Sequence, residues 1–100
     1  MDYMTAKRLF KTRKSISDAV FFEISIWLVP VPLAGSRHLY KYRLALVSDR
    51  QCVLRYDNEA GKGDHKHFGR KQVEYNFKDV DNLLRDFHAD VDAWQRKNQT

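Results

Sequence analysis

Apolar and polar residues alternate along three segments in the first sixty positions, and this two-residue period is the strongest constraint on the fold. In the segment Ala19 to Val29, one side of an extended chain carries only large apolar residues, namely Phe22, Ile24, Ile26 and Leu28. The segments 37–48 and 51–57 repeat the pattern, and Asp49 and Arg50 between them form a turn. We therefore predict at least three antiparallel strands that bury one face.

The C-terminal segment has a different period, because its apolar residues recur every three or four positions. From Asp79 to Lys97 this spacing predicts one amphipathic helix whose stripe is Val80, Leu84, Phe87, Val91 and Trp94. A striped helix and a one-sided sheet can bury each other. We predict an α+β fold: an antiparallel β-sheet of four to five strands packed on one face by a C-terminal helix at about 79–97. The 100 residues fit one domain, 1–100.

The remaining segments give weaker signals. Lys7 to Ile16 mixes basic and apolar residues, as lysine-protected edge strands do, and 73–77 alternates like one short strand. The polar, glycine-containing stretch from Asn58 to Arg70 predicts a loop or a hairpin tip. Cys52 shares the parity of Leu54 and Tyr56, so we expect a buried, inert thiol. Lys78 is a poor residue to precede a helix.

Charge and composition bound the partners and the compartment. Residues 1–50 hold nine Lys/Arg against four Asp/Glu, whereas residues 51–100 hold nine of each. A basic N-terminal half favours a polyanion or an acidic protein, although plain solubility would explain it too. The most apolar stretch, Ala19 to Leu33, contains Glu23 and two prolines, so we expect no membrane span. No signal-peptide pattern and one cysteine indicate a cytoplasmic chain without disulfides.

The sheet face opposite the helix carries charged residues, and the loop after it carries a recognisable motif. The runs 42–44 (Tyr-Arg-Leu), 53–58 (Val-Leu-Arg-Tyr-Asp-Asn) and 61–67 (Gly-Lys-Gly-Asp-His-Lys-His), with Phe87 to Val91 on the helix, resemble the TumE family of toxins over residues 7–94. The resemblance implies a prokaryotic type II toxin that cleaves RNA and is held in check by a DNA-binding antitoxin. A homodimer stays open.

The same residues suit metal-free RNA cleavage, which needs a base, an acid and a cation beside the phosphate. Histidine suits both proton transfers, and His65 and His67 share one face if their segment is extended. We predict His65, His67, Asp64 and Lys62 as the catalytic residues, with no cofactor. Asp64 or Asp57 would orient a histidine.

Further side chains are candidates for holding single-stranded RNA. Arg43, Arg55, Lys62 and Lys66 could contact phosphate, arginine being best suited to bidentate contact. Tyr56 could stack on a base, and Asp57 completes the predicted substrate-binding set. The prediction is an endoribonuclease that acts on RNA such as mRNA.

Two other functions remain open at this point. The chain could be a non-catalytic module that binds RNA or protein. Alternatively, Asp64, His65 and His67 could hold a divalent metal in a metal-dependent nuclease, because His-x-His on one strand face is a familiar ligand pair.

Overall fold

A computed structural model describes residues 6–98 of the chain, and these residues form six strands and one helix. The strands are β1 (Lys7–Ser15), β2 (Val20–Leu28), β3 (Tyr40–Ser48), β4 (Gln51–Glu59), β5 (Gly63–Phe68) and β6 (Lys71–Glu74), and the helix is α1 (Val80–Lys97). Each strand pairs antiparallel with the next along the chain, so the sheet order is β1-β2-β3-β4-β5-β6. The predicted α+β class is confirmed.

The prediction of four to five strands is wrong, because the stretch expected to be a loop forms a strand. β4 continues to Glu59, the chain turns through 60–62, and β5 returns along it. Gly61 and Gly63 have φ of 87° and 76°, which residues with a side chain rarely adopt. The glycines therefore mark a tight turn between two strands rather than a long loop.

The core lies between α1 and one face of the sheet, as the two periods predicted. Buried side chains from three strands meet the helix, namely Phe22, Ile24, Ile26, Tyr42, Leu44, Leu46, Leu54 and Tyr56. From the helix side, Leu83, Phe87 and Val91 are buried. The predicted stripe omits Leu83, which is fully buried, and three of its members, Val80, Leu84 and Trp94, are only partly buried.

Two local expectations are corrected by backbone geometry. Cys52 is exposed, because the β3–β4 register shifts between Leu46 and Val47 and interrupts the alternation that placed its thiol in the core. The residue that caps α1 is Asp79 rather than Lys78, since the Asp79 side chain accepts a hydrogen bond from the backbone N–H of Asn82 at 2.7 Å.

The start of β3 and the end of β6 also differ from the predicted bounds. β3 begins at Tyr40, so 37–39 belong to the loop that follows β2. β6 ends at Glu74, which leaves Tyr75 and Phe77 in the connection to α1. In the described part of the chain, no helix is both long enough and apolar enough to cross a membrane.

Candidate functional site

The sheet face that α1 leaves uncovered carries two rows of residues across the strands, and all of them except Ala45 are polar. Cross-strand pairing orders the first row as Lys11, Ser25, Arg43, Asp57, His65 and Glu74. The second row is Arg13, Glu23, Ala45, Arg55, His67 and Gln72. We call this surface the open face. It brings five of the predicted site residues onto one side of β3, β4 and β5, namely Arg43, Arg55, Asp57, His65 and His67.

Asp57 is the centre of the most compact cluster on the open face. Its Oδ2 lies 3.0 Å from Arg55 Nε, and its Oδ1 lies 3.5 Å from His67 Nε2. Arg55 Nη2 in turn lies 3.2 Å from His67 Nε2. The buried Arg55 N–H at Nε has no aligned acceptor among the described residues, so its contact to Asp57 is electrostatic.

Burial and charge together set the protonation of His67. Partial burial lowers the pKa of His67 below its ordinary value of 6.5, and the adjacent Arg55 cation lowers it further. The Asp57 carboxylate opposes this shift but does not overcome it. In the free protein His67 is therefore neutral at pH 7, and it takes up a proton more readily if an anion neutralises Arg55.

The second histidine is held in one tautomer. His65 Nδ1 lies 3.2 Å from the carbonyl oxygen of Gly63, which can only accept, so Nδ1 donates its N–H there. In the neutral ring this leaves Nε2 unprotonated, with a lone pair available. The two imidazole centroids are 6.5 Å apart, as expected for neighbours two positions apart on a strand.

Lys62 completes the cationic rim of the cluster. It lies in the turn before β5, with its Nζ 3.5 Å from Glu59 and its side chain 69% exposed. A cavity of about 90 Å³ joins it to both histidines and to the Arg55–Asp57 pair. This volume admits a phosphate-sized group and little more.

Arg43 extends the open face towards the N-terminal strands. It lies across from Asp57 on one side and Ser25 on the other. It also lines a groove of about 420 Å³ with Lys11, Arg13 and Glu23. Three cations of the N-terminal half, Lys11, Arg13 and Arg43, thus lie on the same surface as the histidine cluster.

Three predicted site residues lie on the other side of the sheet. Lys66 pairs with Asp90 of α1 at 3.5 Å, and its ammonium lies over the ring of Tyr56. Tyr56 has no exposed surface and donates its hydroxyl proton to Asp90. Burial and that carboxylate raise the pKa of Tyr56 well above its ordinary value. Neither side chain reaches the open face, so their contacts join the sheet to the helix.

Asp64 is also turned away from the histidines that it was predicted to orient. It accepts hydrogen bonds from Ser36 Oγ at 2.6 Å, His38 Nε2 at 2.6 Å and the Tyr42 hydroxyl at 2.8 Å. Burial and the Asp64 carboxylate raise the pKa of Tyr42 far above its ordinary value. The carboxylate that does contact a predicted catalytic histidine is Asp57.

His38 is the residue that sequence reasoning missed. Its Nδ1 accepts the backbone N–H of Tyr40 at 3.1 Å, so its Nε2 carries the proton that it donates to Asp64. Its ring stacks on Phe77 with centroids 3.8 Å apart. The shared parity of positions 38, 40 and 42 was the available signal, and it places His38 on the helix side. With both nitrogens occupied, His38 anchors the 29–39 loop to β5.

The described residues offer few ligands for the alternative function, a metal-dependent nuclease. His65 and His67 share a face, but Asp64 faces the other way, and no group of three or more His, Cys, Asp or Glu side chains gathers at metal-binding distance within residues 6–98.

The fold and site define a class: a small α+β domain with a cationic, histidine-bearing sheet face left open by its only described helix. A comparison with protein-family models matches the family described as Toxin TumE over residues 2–95, and the chain belongs to that family of toxins. Membership in a toxin family implies an antitoxin partner. Comparisons with curated proteins and with solved structures gave no match.

Proposed function

We propose that this toxin is a metal-independent endoribonuclease whose catalytic histidines are His65 and His67. The observation that carries the proposal is the cluster on the open face, where two imidazoles, an arginine–carboxylate pair and the exposed Lys62–Glu59 pair border one phosphate-sized cavity. Each group needed for metal-free phosphodiester cleavage is present there.

His65 acts as the general base in this proposal, because its Nε2 has a free lone pair. It removes the proton from a ribose 2′-hydroxyl, and the 2′-oxygen attacks the adjacent phosphorus. The bond from phosphorus to the 5′-oxygen breaks, which leaves a 2′,3′-cyclic phosphate and a 5′-hydroxyl end. Positioned acid–base groups of this kind contribute about 10²- to 10⁴-fold in rate.

His67 acts as the general acid and protonates the departing 5′-oxygen. The anionic substrate makes this role possible, since a phosphate beside Arg55 offsets the cation that lowers the His67 pKa. Asp57 then stabilises the imidazolium at 3.5 Å. In this proposal Asp57, rather than Asp64, is the carboxylate that orients the histidine.

Cations on the open face hold the RNA backbone. Arg55 and Lys62 border the reacting phosphate, and Arg43 contacts the next one towards the groove beside Lys11 and Arg13. The substrate is single-stranded, because an unpaired ribose can turn its 2′-oxygen into line with the leaving oxygen. The antitoxin inhibits by covering this face.

The test is cleavage of a fluorescent single-stranded RNA by purified protein, with and without EDTA. We expect cleavage that persists in EDTA, yields cyclic phosphate ends and falls at least about 100-fold in the His65→Ala/His67→Ala variant. His88→Ala is the matched control, because His88 is an exposed histidine on α1, and it should cleave normally.

A second substrate separates chemistry from binding. An RNA with 2′-deoxyribose at the cut position should bind with unchanged affinity and stay intact. Loss of cleavage in EDTA would replace the proposal with the metal-dependent nuclease. Binding by a folded wild-type protein, without cleavage of any RNA tried, would replace it with the non-catalytic RNA-binding module.

A further inference from the structure

A second concave site adjoins the histidine cluster at the end of the sheet. The 29–39 loop, the β4–β5 turn and the connection from β6 to α1 enclose a cavity of about 310 Å³. This volume is at the lower end of the range of about 300 to 1,000 Å³ that small-molecule sites occupy. Lys62 and His65 line both this cavity and the smaller one, so the two adjoin each other.

Direct contacts between the 29–39 loop and the β4–β5 turn hold the walls of the cavity in place. A side chain added at Gly35 would place its Cβ 2.7 Å from the backbone nitrogen of Gly63, so the loop and the turn are in direct contact. Gly61 also donates its backbone N–H to Ala34 at 2.6 Å. The hydrogen bonds of Ser36 and His38 to Asp64 hold the same two segments together.

Two rings form a wall of the cavity and are themselves held in place. Phe77 stacks on His38, and Tyr75 donates its hydroxyl proton to Asp86 of α1 at 2.6 Å. Both rings are partly buried. A flat, aromatic ligand could lie against such a wall.

Three polar side chains of the lining have no partner among the described residues. Arg37, Glu74 and Asn76 are exposed, and in the part of the chain that the structure describes their side chains make no hydrogen bond or ion pair. Ser36, His38 and Asp64 nearby all satisfy one another. Glu74 is directly across from His65, next to the reacting phosphate of the proposed mechanism.

We propose that this cavity binds the guanine base next to the scissile phosphate, an inference that rests on the proposed RNA substrate. Guanine is the RNA base with two adjacent N–H donors, N1–H and N2–H, on its Watson–Crick edge. The Glu74 carboxylate accepts both, as no neutral side chain can. The Asn76 amide or Arg37 donates to the guanine O6, and the ring lies against Tyr75 and Phe77.

Direct binding tests the inference without any need for cleavage. Calorimetric titration of the wild-type protein with the four ribonucleoside 3′-monophosphates should give affinity for the guanosine compound at least about tenfold above the adenosine compound, because adenine offers no matching pair of donors. Equal affinities for all four, or tighter binding of a pyrimidine nucleotide, would overturn the inference.

The direction in which one substitution changes nucleotide affinity distinguishes recognition of the base from simple attraction between charges. Glu74→Gln should weaken guanosine 3′-monophosphate about tenfold or more and leave the adenosine compound unweakened. Electrostatics alone predicts the opposite, because removing a negative charge should favour an anionic ligand. Asp92→Asn on the exposed side of α1 removes the same charge at a distance and is the matched control. Tighter or unchanged guanosine binding in Glu74→Gln would refute base recognition.

The two proposals fail separately. Cleavage at all four bases with equal rates would remove the guanine subsite and leave the ribonuclease intact. Selective binding of guanosine 3′-monophosphate by a protein that cuts no RNA would remove the ribonuclease and leave the subsite as a recognition pocket.

Discussion

At the scale of single residues, the environment of His67 determines how the proposed chemistry responds to pH. A general acid must start protonated, and burial with Arg55 lowers the pKa of His67 below 6.5. The protonated fraction of the free protein therefore disappears as pH rises through a value on the acid side of 6.5.

We expect kcat/KM for RNA cleavage to be highest below pH 6.5. It should fall about tenfold per pH unit on the alkaline side, because kcat/KM reports the ionisation of the free enzyme. Rates measured between pH 5 and 8 test this. In Arg55→Gln the alkaline limb should move to higher pH, since the substitution removes a cation that lowers the His67 pKa. An optimum above pH 7.5 in the wild type would contradict the assignment of His67 as the acid.

The sheet face on which a side chain lies could be predicted where it follows from alternation along a strand. The partner of a side chain could not be predicted where the contact joins distant parts of the chain. The positions of His65, His67 and Arg55 on one face follow from alternation along two strands. The choice between Asp57 and Asp64 depends on which side of β5 each carboxylate reaches. Ser36 and His38 lie 28 and 26 positions before Asp64, and no local pattern joins them to it.

At the scale of elements, β5 shows what composition cannot reveal. Its side chains are polar or only partly buried, so it has little of the apolar alternation that identified β2 and β3. It is a strand because β4 on one side and β6 on the other supply its backbone partners. The helix was predictable nearly to the residue, since its apolar stripe, acidic start and basic end all agree.

In the turn between β3 and β4, Arg50 has a left-handed backbone conformation that is unfavourable for a residue with a side chain. Asp49 and Arg50 both have positive φ, 50° and 69°, as two-residue hairpins require, and glycine is favoured at the second position. Arg50→Gly should therefore raise the free energy of unfolding by about 0.5 to 1 kcal/mol, by relieving left-handed strain. Urea denaturation measures it, and Arg50→Ala should give no such gain. Destabilisation by glycine would mean that Arg50 makes a contact worth more than the strain.

At the scale of the whole molecule, the sheet face under α1 supports the fold and the opposite face carries the candidate site. α1 covers one face and takes Tyr56, Lys66 and Asp90 into sheet–helix contacts. The open face keeps cations of β1, β3 and β4 and both histidines of β5. The overall layout, one helix on one face of an antiparallel sheet, followed from the two hydrophobic periods. The sequence did not predict that Asp64 and His65 lie on opposite faces, because this depends on the additional strand, β5.

The open face should bind RNA with a salt dependence that counts its phosphate contacts. The logarithm of the affinity for single-stranded nucleic acid falls with the logarithm of salt concentration by about 0.7 per neutralised phosphate. Arg43→Gln should therefore make the slope shallower by about 0.7, in fluorescence anisotropy with an uncleavable 2′-deoxy substrate. Arg85→Gln on the exposed side of α1 should leave the slope unchanged. A slope unaffected by Arg43→Gln would remove this arginine from the RNA path.

The sequential strand order has a consequence for the time at which the protein becomes dangerous during its own synthesis. Every strand pairs with its chain neighbour, so the hairpins that carry Arg43, Asp57 and His65 can form as they leave the ribosome. Leu83, Phe87 and Val91 follow all six strands along the chain, and until they emerge the apolar face of the sheet is bare. The nascent sheet therefore lacks the layer that makes it stable, and the folded toxin exists only once α1 has docked.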